Sequence, residues 1–240
     1  MKFILVVLLL GILSSSVSVY ATDIPSRIEI NYAVTTDIGE GEINEVMEIK
    51  HTDKGNSYSI NSEAQATGIF KLLEPNRIVR HSEGMITEGG LKPTRAYEKR
   101  GKKEPSLAIF NWNNHTITLS HQKREIQEKL PKDTLDRLSL SYNFMFTPLP
   151  KYQVERHITN GHSLVLSRYA ITKETLKTPI GKMKTIVLTR QEDKNSKLKR
   201  VIWLALNNHM LPVRIVSTEE NGRQIDKIVT GINISYKANQ

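Results

Sequence analysis

A chain of 240 residues without a cysteine can hold neither a disulfide framework nor a thiolate metal site or nucleophile, and it offers no cysteine for N-terminal lipidation. The 34 Lys and Arg against 25 Asp and Glu leave a net charge of +9, which outside the cytoplasm favours anionic lipid surfaces or acidic polymers over nucleic acid. The excess is thinly spread, since the densest basic run, EKRGKKE, is broken by acids, so solubility alone also accounts for it.

Lys2, the apolar run FILVVLLLGIL and the small, polar ending SSSVSVYA have the layout of a secretory signal peptide cleaved after Ala21. The run falls short of the roughly 20 apolar residues that a membrane-crossing helix needs. The expected organisation is therefore a leader over residues 1–21 and a single exported β-rich domain over residues 22–240, in the periplasm.

From Arg27 the dominant period is two. RIEINYAVT places Ile28, Ile30, Tyr32 and Val34 on one face, INEVMEIKHT does the same with Ile43, Met47 and Ile49, and SYSINSEAQA with Tyr58, Ile60, Ala64 and Ala66. The intervening DIGEGE and DKGN read as turns, which makes a meander of half-buried antiparallel strands. TGIFKLLEPN breaks the alternation and reads as a short helical turn or apolar loop. Shorter strands follow in RIVRHSEG, MITEGG, TRAYEKR and SLAIFNW, and Asn113–Asn114 marks a hairpin into HTITLSHQ. Asn114, His115 and Thr116 match a glycosylation acceptor, but beside a bacterial type of leader they read as a turn.

One segment, LPKDTLDRLSLSYNFMF, has helical spacing. Asp133 is placed to cap it, Leu135, Leu138, Tyr142, Met145 and Phe146 recur at intervals of three and four, and Pro148 and Pro150 end it. Strands resume in HSLVLSRYAI, TKETLKTPIGKMKTIVLTRQ, LKRVIWLAL, LPVRIVSTEE and RQIDKIVTGINISYK, with TPIG and ENGR as tight turns. In the last strand Ile228, Thr230, Ile232, Ile234 and Tyr236 alternate. Arg214 falls between Val213 and Ile215 and so points to the solvent face. The fold class is mainly β: a strongly curved antiparallel sheet, a half-open or flattened barrel, with one main amphipathic helix on its concave face.

The motifs quoted above, in the order TGIFKLL, SEGMITEGGLKPTRAYEKR, AIFNW, DTLDRLSLSY, ETLKTPIGKMKTIVLTR, IWLALNNHMLPVRI and NGRQIDKIVTGI, resemble the exported proteins of Gram-negative bacteria grouped as domain-of-unknown-function family 3108. The last module is also similar to the end of the periplasmic lipoprotein carriers and their outer-membrane receptors. That likeness implies a curved half-barrel with an apolar concave face covered by helices. The chain departs from the carriers in having one convincing helix, and from the receptors in lacking the lipidated cysteine.

No catalytic, cofactor or metal residues emerge. The seven histidines include no i,i+4 pair on a helix and no H-E-x-x-H. There is no G-x-S-x-G elbow, IGKMKT reads as a hairpin turn, and Glu174, Asp133 and Asp136 show no pairing. What remains is apolar and aromatic material that either fills the core or lines a cavity for a lipid, an acyl chain or an apolar envelope segment: Phe70, Leu72, Trp112, Leu138, Tyr142, Met145, Phe146, Trp203 and Val213. Arg95, Arg137 and Arg214 are the expected rim for an anionic head group or membrane surface. The alternative function is a non-enzymatic envelope scaffold with a filled core.

Overall fold

The computed structural model describes residues 24–53, 55–73, 77–191, 198–218 and 222–237. The expected leader with its cleavage point, and the first half of the ENGR turn, lie outside the described residues. The first half of the fold comprises β1 (Arg27–Thr36), β2 (Gly39–Thr52), β3 (Gly55–Ala66), the single turn α1 (Phe70–Leu73), β4 (Ile78–Thr87), β5 (Gly90–Arg100), β6 (Ser106–Asn111), β7 (Thr116–His121) and β8 (Arg124–Lys129). Then come β9 (Thr134–Asp136) and α2 (Arg137–Tyr142), which runs into a 3-10 turn over Asn143–Met145. The chain finishes with β10 (Gln153–Thr159), β11 (Leu164–Thr178), β12 (Gly181–Gln191), β13 (Arg200–Ala205), β14 (Leu211–Thr218) and β15 (Gln224–Ser235).

These strands form one sheet in the order β8-β7-β6-β5-β4-β3-β2-β1-β15-β14-β13-β12-β11-β10-β9. The first strand pairs with the last, so two meanders run outward from a shared centre. All pairings are antiparallel except the short β9–β10 ladder, which is parallel. The sheet curls until β9 lies against β5 and the Gly161 turn meets the backbone at Ser106 and Leu107. Its edge strands β8 and β9 are not hydrogen-bonded to each other, so the barrel stays open.

The alternation in sequence becomes the inner face. Ile28, Ile30, Met47, Ile60, Leu188, Ile202, Leu204 and Val229 are fully buried there in one cluster, each contributing about 1.5–3 kcal/mol by leaving water. A smaller cluster around Ala108, Phe110, Ile117 and Leu119 sits under β5–β7.

Several strand readings change: HSLVLSRYAI and TKETLKT join into β11, and β8 and β10 are additional strands. RIVRHSEG and MITEGG form one strand, β4, because Gly84 sits at a register shift where a Cβ would stand 2.2 Å from the Lys92 carbonyl oxygen; only glycine lets the backbones pass so closely. In β15 the register against β1 shifts between Asn31 and Tyr32, leaving Thr230 unpaired. The bulge reverses inward parity. Before it Lys227 and Val229 point inward, after it Ile232 and Ile234 pack on the core, and Tyr236 is exposed.

The helix also differs. Residues 134–136 are a strand, Asp133 is exposed, and the cap is Asp136: its Oδ1 accepts from the Leu138 and Ser139 N–H groups at 2.8 and 3.1 Å. The Asp136 N–H in turn donates to Ser139 Oγ at 2.9 Å, completing a capping box. Because β9, α2 and the 3-10 turn thread the inside of the curl, Leu138, Ser139, Leu140, Ser141 and Tyr142 are all buried. The helix therefore packs on the concave face of the sheet as expected, and two of these five buried residues are serines.

Candidate functional site

The seat of α2 is polar, set into an apolar face. Glu45 of β2 alternates between Ile43 and Met47 and so must point inward. There it accepts from Tyr142 Oη at 2.8 Å, Ser62 Oγ at 3.2 Å and Lys227 Nζ at 2.5 Å. Lys227, likewise set between Ile225 and Val229, lies 4.3 Å above the Tyr32 ring centroid, and Tyr32 Oη donates to the Pro212 carbonyl at 2.7 Å. Burial alone would push the Glu45 carboxyl up, but the charge of Lys227 and these hydrogen bonds outweigh it and hold Glu45 below the usual carboxylate range. Burial pulls the Lys227 ammonium down, against the charge of Glu45. The phenols of Tyr32 and Tyr142 are raised well above their ordinary value, by burial first and by Glu45 second.

A second attachment holds the start of the helix. Asp136 Oδ2 accepts from Ser82 Oγ of β4 at 2.6 Å and Ser139 Oγ at 2.7 Å, and Tyr58 lies 3.2 Å beyond Ser82. Burial raises the Asp136 carboxyl above its usual range despite those donors. At the other end Asn143 Oδ1 accepts from the Leu91 N–H at 2.9 Å. Arg200 of β13 reaches across to the Arg137 carbonyl at 3.3 Å. Helix α2 is thus tied to β2, β4, β5 and β13, strands from both meanders. Among the described residues, two buried side-chain nitrogens lack a hydrogen-bond partner, Asn143 Nδ2 and Arg200 Nε, and both belong to this seat.

Gly90 is a stringent test of that fit. Its φ is +103°, and a Cβ there would stand 2.3 Å from Asn143 Oδ1. We expect Gly90→Ala to lower the unfolding free energy by about 2 kcal/mol, from backbone strain and the displaced Asn143, measured by urea denaturation.

The sequence pattern of a family described as "Protein of unknown function (DUF3108)" matches residues 27–227, which include α2 and its whole seat. The chain belongs to that family. A search of curated proteins finds no match to this DUF3108 protein. Among solved structures, a "Beta-barrel-like Protein of Domain of Unknown Function DUF1849" from Brucella abortus is similar at a TM-score of 0.51 and 9% identity, over 87% of this chain and 98% of that one. The likeness is one of fold. A "putative lipoprotein" from Parabacteroides distasonis aligns at a TM-score of 0.36 and 8% identity, over 88% and 96% of the two chains. A "putative outer membrane lipoprotein-sorting protein domain" from Vibrio parahaemolyticus aligns at 0.25 and 8%, over 90% and 88%.

Of the apolar residues expected around a cavity in this DUF3108 protein, Leu138, Tyr142, Met145, Phe146 and Val213 come together in the core cluster. The others are dispersed. Leu72 is 85% exposed, because α1 is one turn long and spends its Phe70 ring on Gly39, where a Cβ would come within 2.5 Å. Trp112 belongs to the smaller cluster, stacked on Phe110 and donating to the Pro93 carbonyl at 2.6 Å. Trp203 is partly buried and packs against the edge of the core cluster, where its indole donates to Glu174 at 2.5 Å under the Arg214 guanidinium.

The three expected rim residues lie apart. Arg95 is exposed on the outer face of β5, over the Tyr97 ring. Arg214 does point outward, and its pairing with Asp226 at 3.0 and 2.5 Å raises its pKa. Arg137 alone of the three stands at the α2 seat. Glu45, Lys227, Asp136 and Arg200 were not singled out from the sequence as site residues. The signal was present for the first two: each is a charge at an inward position of an alternating strand.

Two depressions bear on the site. An open groove of about 310 Å³ is lined by polar residues, among them Asn31, Glu42, Asn44, Glu63 and Arg77, together with Tyr32, Ile43 and Ala64. A small cavity of about 30 Å³ lies between Arg80, Arg137, Asp136 and Gly161. Among the described residues no group of three or more His, Asp or Glu is placed to hold a metal ion, and no helix is long and apolar enough to cross a membrane.

Proposed function

We propose that this protein is an exported binding module of the Gram-negative envelope, which receives a lipid, an acyl chain or an apolar envelope segment on its concave face. In this reading α2 occupies that face until a ligand displaces it. The observation that carries the reading is the seat itself. A helix meant only to fill a core is best held by apolar contacts alone, whereas this one adds to them buried polar and charged bonds that leave two donors unsatisfied, an arrangement that costs part of the stability a wholly apolar seat would supply. Each methylene buried in its place contributes about 0.8 kcal/mol, so a chain of about a dozen carbons gains enough to offset ordering and the removal of α2.

A second reading is an envelope scaffold with a permanently filled core. It is favoured by Leu138, Leu140, Tyr142 and Phe144, which occupy the concavity at 6% exposure or less. Tyr142→Phe separates the two. It removes one hydrogen bond to a carboxylate, about 1.5 kcal/mol. As a displaceable plug, α2 then yields more easily, and an uncharged apolar fluorophore binds about tenfold tighter than to wild type. If neither protein changes the fluorescence of the probe, and protein purified from cells carries no extractable lipid, the filled-core reading stands and the binding reading is dropped.

A further inference from the structure

The edge strand β8 is open to solvent on both faces. All six of its residues, Arg124–Lys129, are exposed, Ile126 at 45%. Because β8 ends the strand order among the described residues, one row of its backbone N–H and C=O groups has no further strand beside it. Its pairing with β7 tells which row. The register runs from Thr116 opposite Lys129 to His121 opposite Arg124, and just beyond it the Leu130 N–H donates to the His115 carbonyl at 2.8 Å. In an antiparallel ladder every second pair exchanges hydrogen bonds, so Glu128, Ile126 and Arg124 turn their backbone groups toward β7. The two-residue turn at Gln122 and Lys123, with positive φ at both positions, closes on the last of these pairs. Glu125, Gln127 and Lys129 therefore turn their backbone groups outward.

The side chains divide by the same parity. Ile126 stands opposite the buried Leu119 and Glu128 opposite the buried Ile117, which places Arg124, Ile126 and Glu128 on the concave face and Glu125, Gln127 and Lys129 on the convex one. Along the concave row the order is cation, apolar, anion, and reversed it is its own complement. An antiparallel copy set with Ile126 against Ile126 brings Arg124 opposite Glu128 twice and Glu125 opposite Gln127 twice. The same alignment joins the outward backbone groups of Glu125 and Gln127 as hydrogen-bonded pairs. A slip of one residue, with Glu125 against Glu128, opposes like charges and brings an outward backbone row against an inward one. A parallel copy in register sets Arg124 on Arg124 and Glu128 on Glu128.

We propose that β8 is a homodimer edge, at which two copies of the chain pair antiparallel about a two-fold axis through Ile126 and continue the sheet from one to the other. The occupant is a second copy because one alignment satisfies both the backbone row and the charges. Charged side chains on an edge repel strands that do not match them, and here the matching strand is β8 itself. A single strand pair buries little area, so the dimer is transient and depends on concentration. It does not depend on the binding reading above, since no residue of β8 belongs to the α2 seat.

Sedimentation velocity of the full chain, in a concentration series reaching about 1 mM, should show a monomer–dimer equilibrium. Arg124→Glu and Glu128→Arg should each weaken association about tenfold, since each turns two attractive cross-strand pairs into repulsive ones, and the two changes combined should restore it to within about threefold of wild type. All these positions are exposed, and circular dichroism confirms that the variants are folded. Because the chain has no cysteine, one introduced in β8 can form a disulfide only with another molecule. Ile126→Cys places the two Cα atoms about 4.5 Å apart across the axis, within disulfide reach, whereas in this register Gln127→Cys is offset from its own copy. Under mild oxidation Ile126→Cys should therefore dimerise at least about tenfold faster than Gln127→Cys. A chain that stays monomeric throughout the series, single charge reversals without effect, a combined variant that fails to recover, or faster cross-linking at position 127 overturns the proposal. So does a purified chain that is monomeric while Ile126→Cys cross-links in cells to a different protein, which gives the edge to that partner.

Discussion

Replacing Lys227 by methionine should lower the unfolding free energy by about 3–5 kcal/mol, the largest loss expected from any single substitution at the α2 seat. The change removes the partner 2.5 Å from Glu45 and leaves a carboxylate at 1% exposure with only the Tyr142 and Ser62 hydroxyls as donors. An uncompensated buried charge is costlier than the pair was favourable. For the same reason the double variant Lys227→Met with Glu45→Leu should recover most of the loss, since apolar groups of similar volume replace a pair that repaid its own desolvation poorly. Urea denaturation of the two single variants and the double variant closes the cycle; a Lys227→Met loss below about 1 kcal/mol would show that the pair is not buried in solution.

The pair also fixes a pH dependence. Glu45 has a folded pKa below its unfolded value, so between the two the unfolded chain binds more protons. Its contribution is fully present above the unfolded value, about 4.3, and is lost as pH falls through the folded value. Wild type should therefore lose stability more steeply in acid than the double variant, which lacks the titrating group.

The second large effect is expected at Asp136. Alanine there removes the helix cap, worth about 1 kcal/mol, and leaves the Leu138 and Ser139 N–H groups and the Ser82 and Ser139 hydroxyls without their acceptor. Together the loss should reach about 3 kcal/mol. Asparagine keeps the capping oxygen and removes the charge, so Asp136→Asn should stay within about 1 kcal/mol of wild type at neutral pH. The sign of its pH effect is opposite to that of Glu45. The folded pKa of Asp136 is raised, so the folded state holds the proton longer, and this contribution is present at low pH and lost as pH rises through the folded value. Asp136→Asn abolishes that component. Equal losses for alanine and asparagine in thermal unfolding would argue against the capping role.

Much of the scaffold is set by short-range rules. Alternation assigns the inner faces of β1, β2 and β3, because side chains on an extended backbone must point to opposite sides. Gly, Pro and Asn mark the turns at Pro179–Ile180 and Asn113–Asn114, since those residues supply the φ values that tight turns need. The helix was legible in its place but not in its start, because Asp133 and Asp136 are equivalent as caps until β9 is known to hold residues 134–136. Bulges stayed hidden too: the Thr230 bulge changes parity in β15, and it is imposed by pairing with β1, almost 200 positions earlier in the chain.

The sequence by itself determined most of the strands, their apolar faces and the position of the one substantial helix, which follow from local sterics and hydrophobic periodicity; the family was legible only as a resemblance of motifs. The tertiary structure alone decided which polar groups meet. Tyr142 finds Glu45 across 97 positions and Lys227 finds it across 182, because β1–β15 pairing brings the two ends of the chain together and the curl encloses α2. A charge at an inward position announces a burial that must be compensated; its partner is chosen by closure of the sheet, and no pattern along the chain carries that distance.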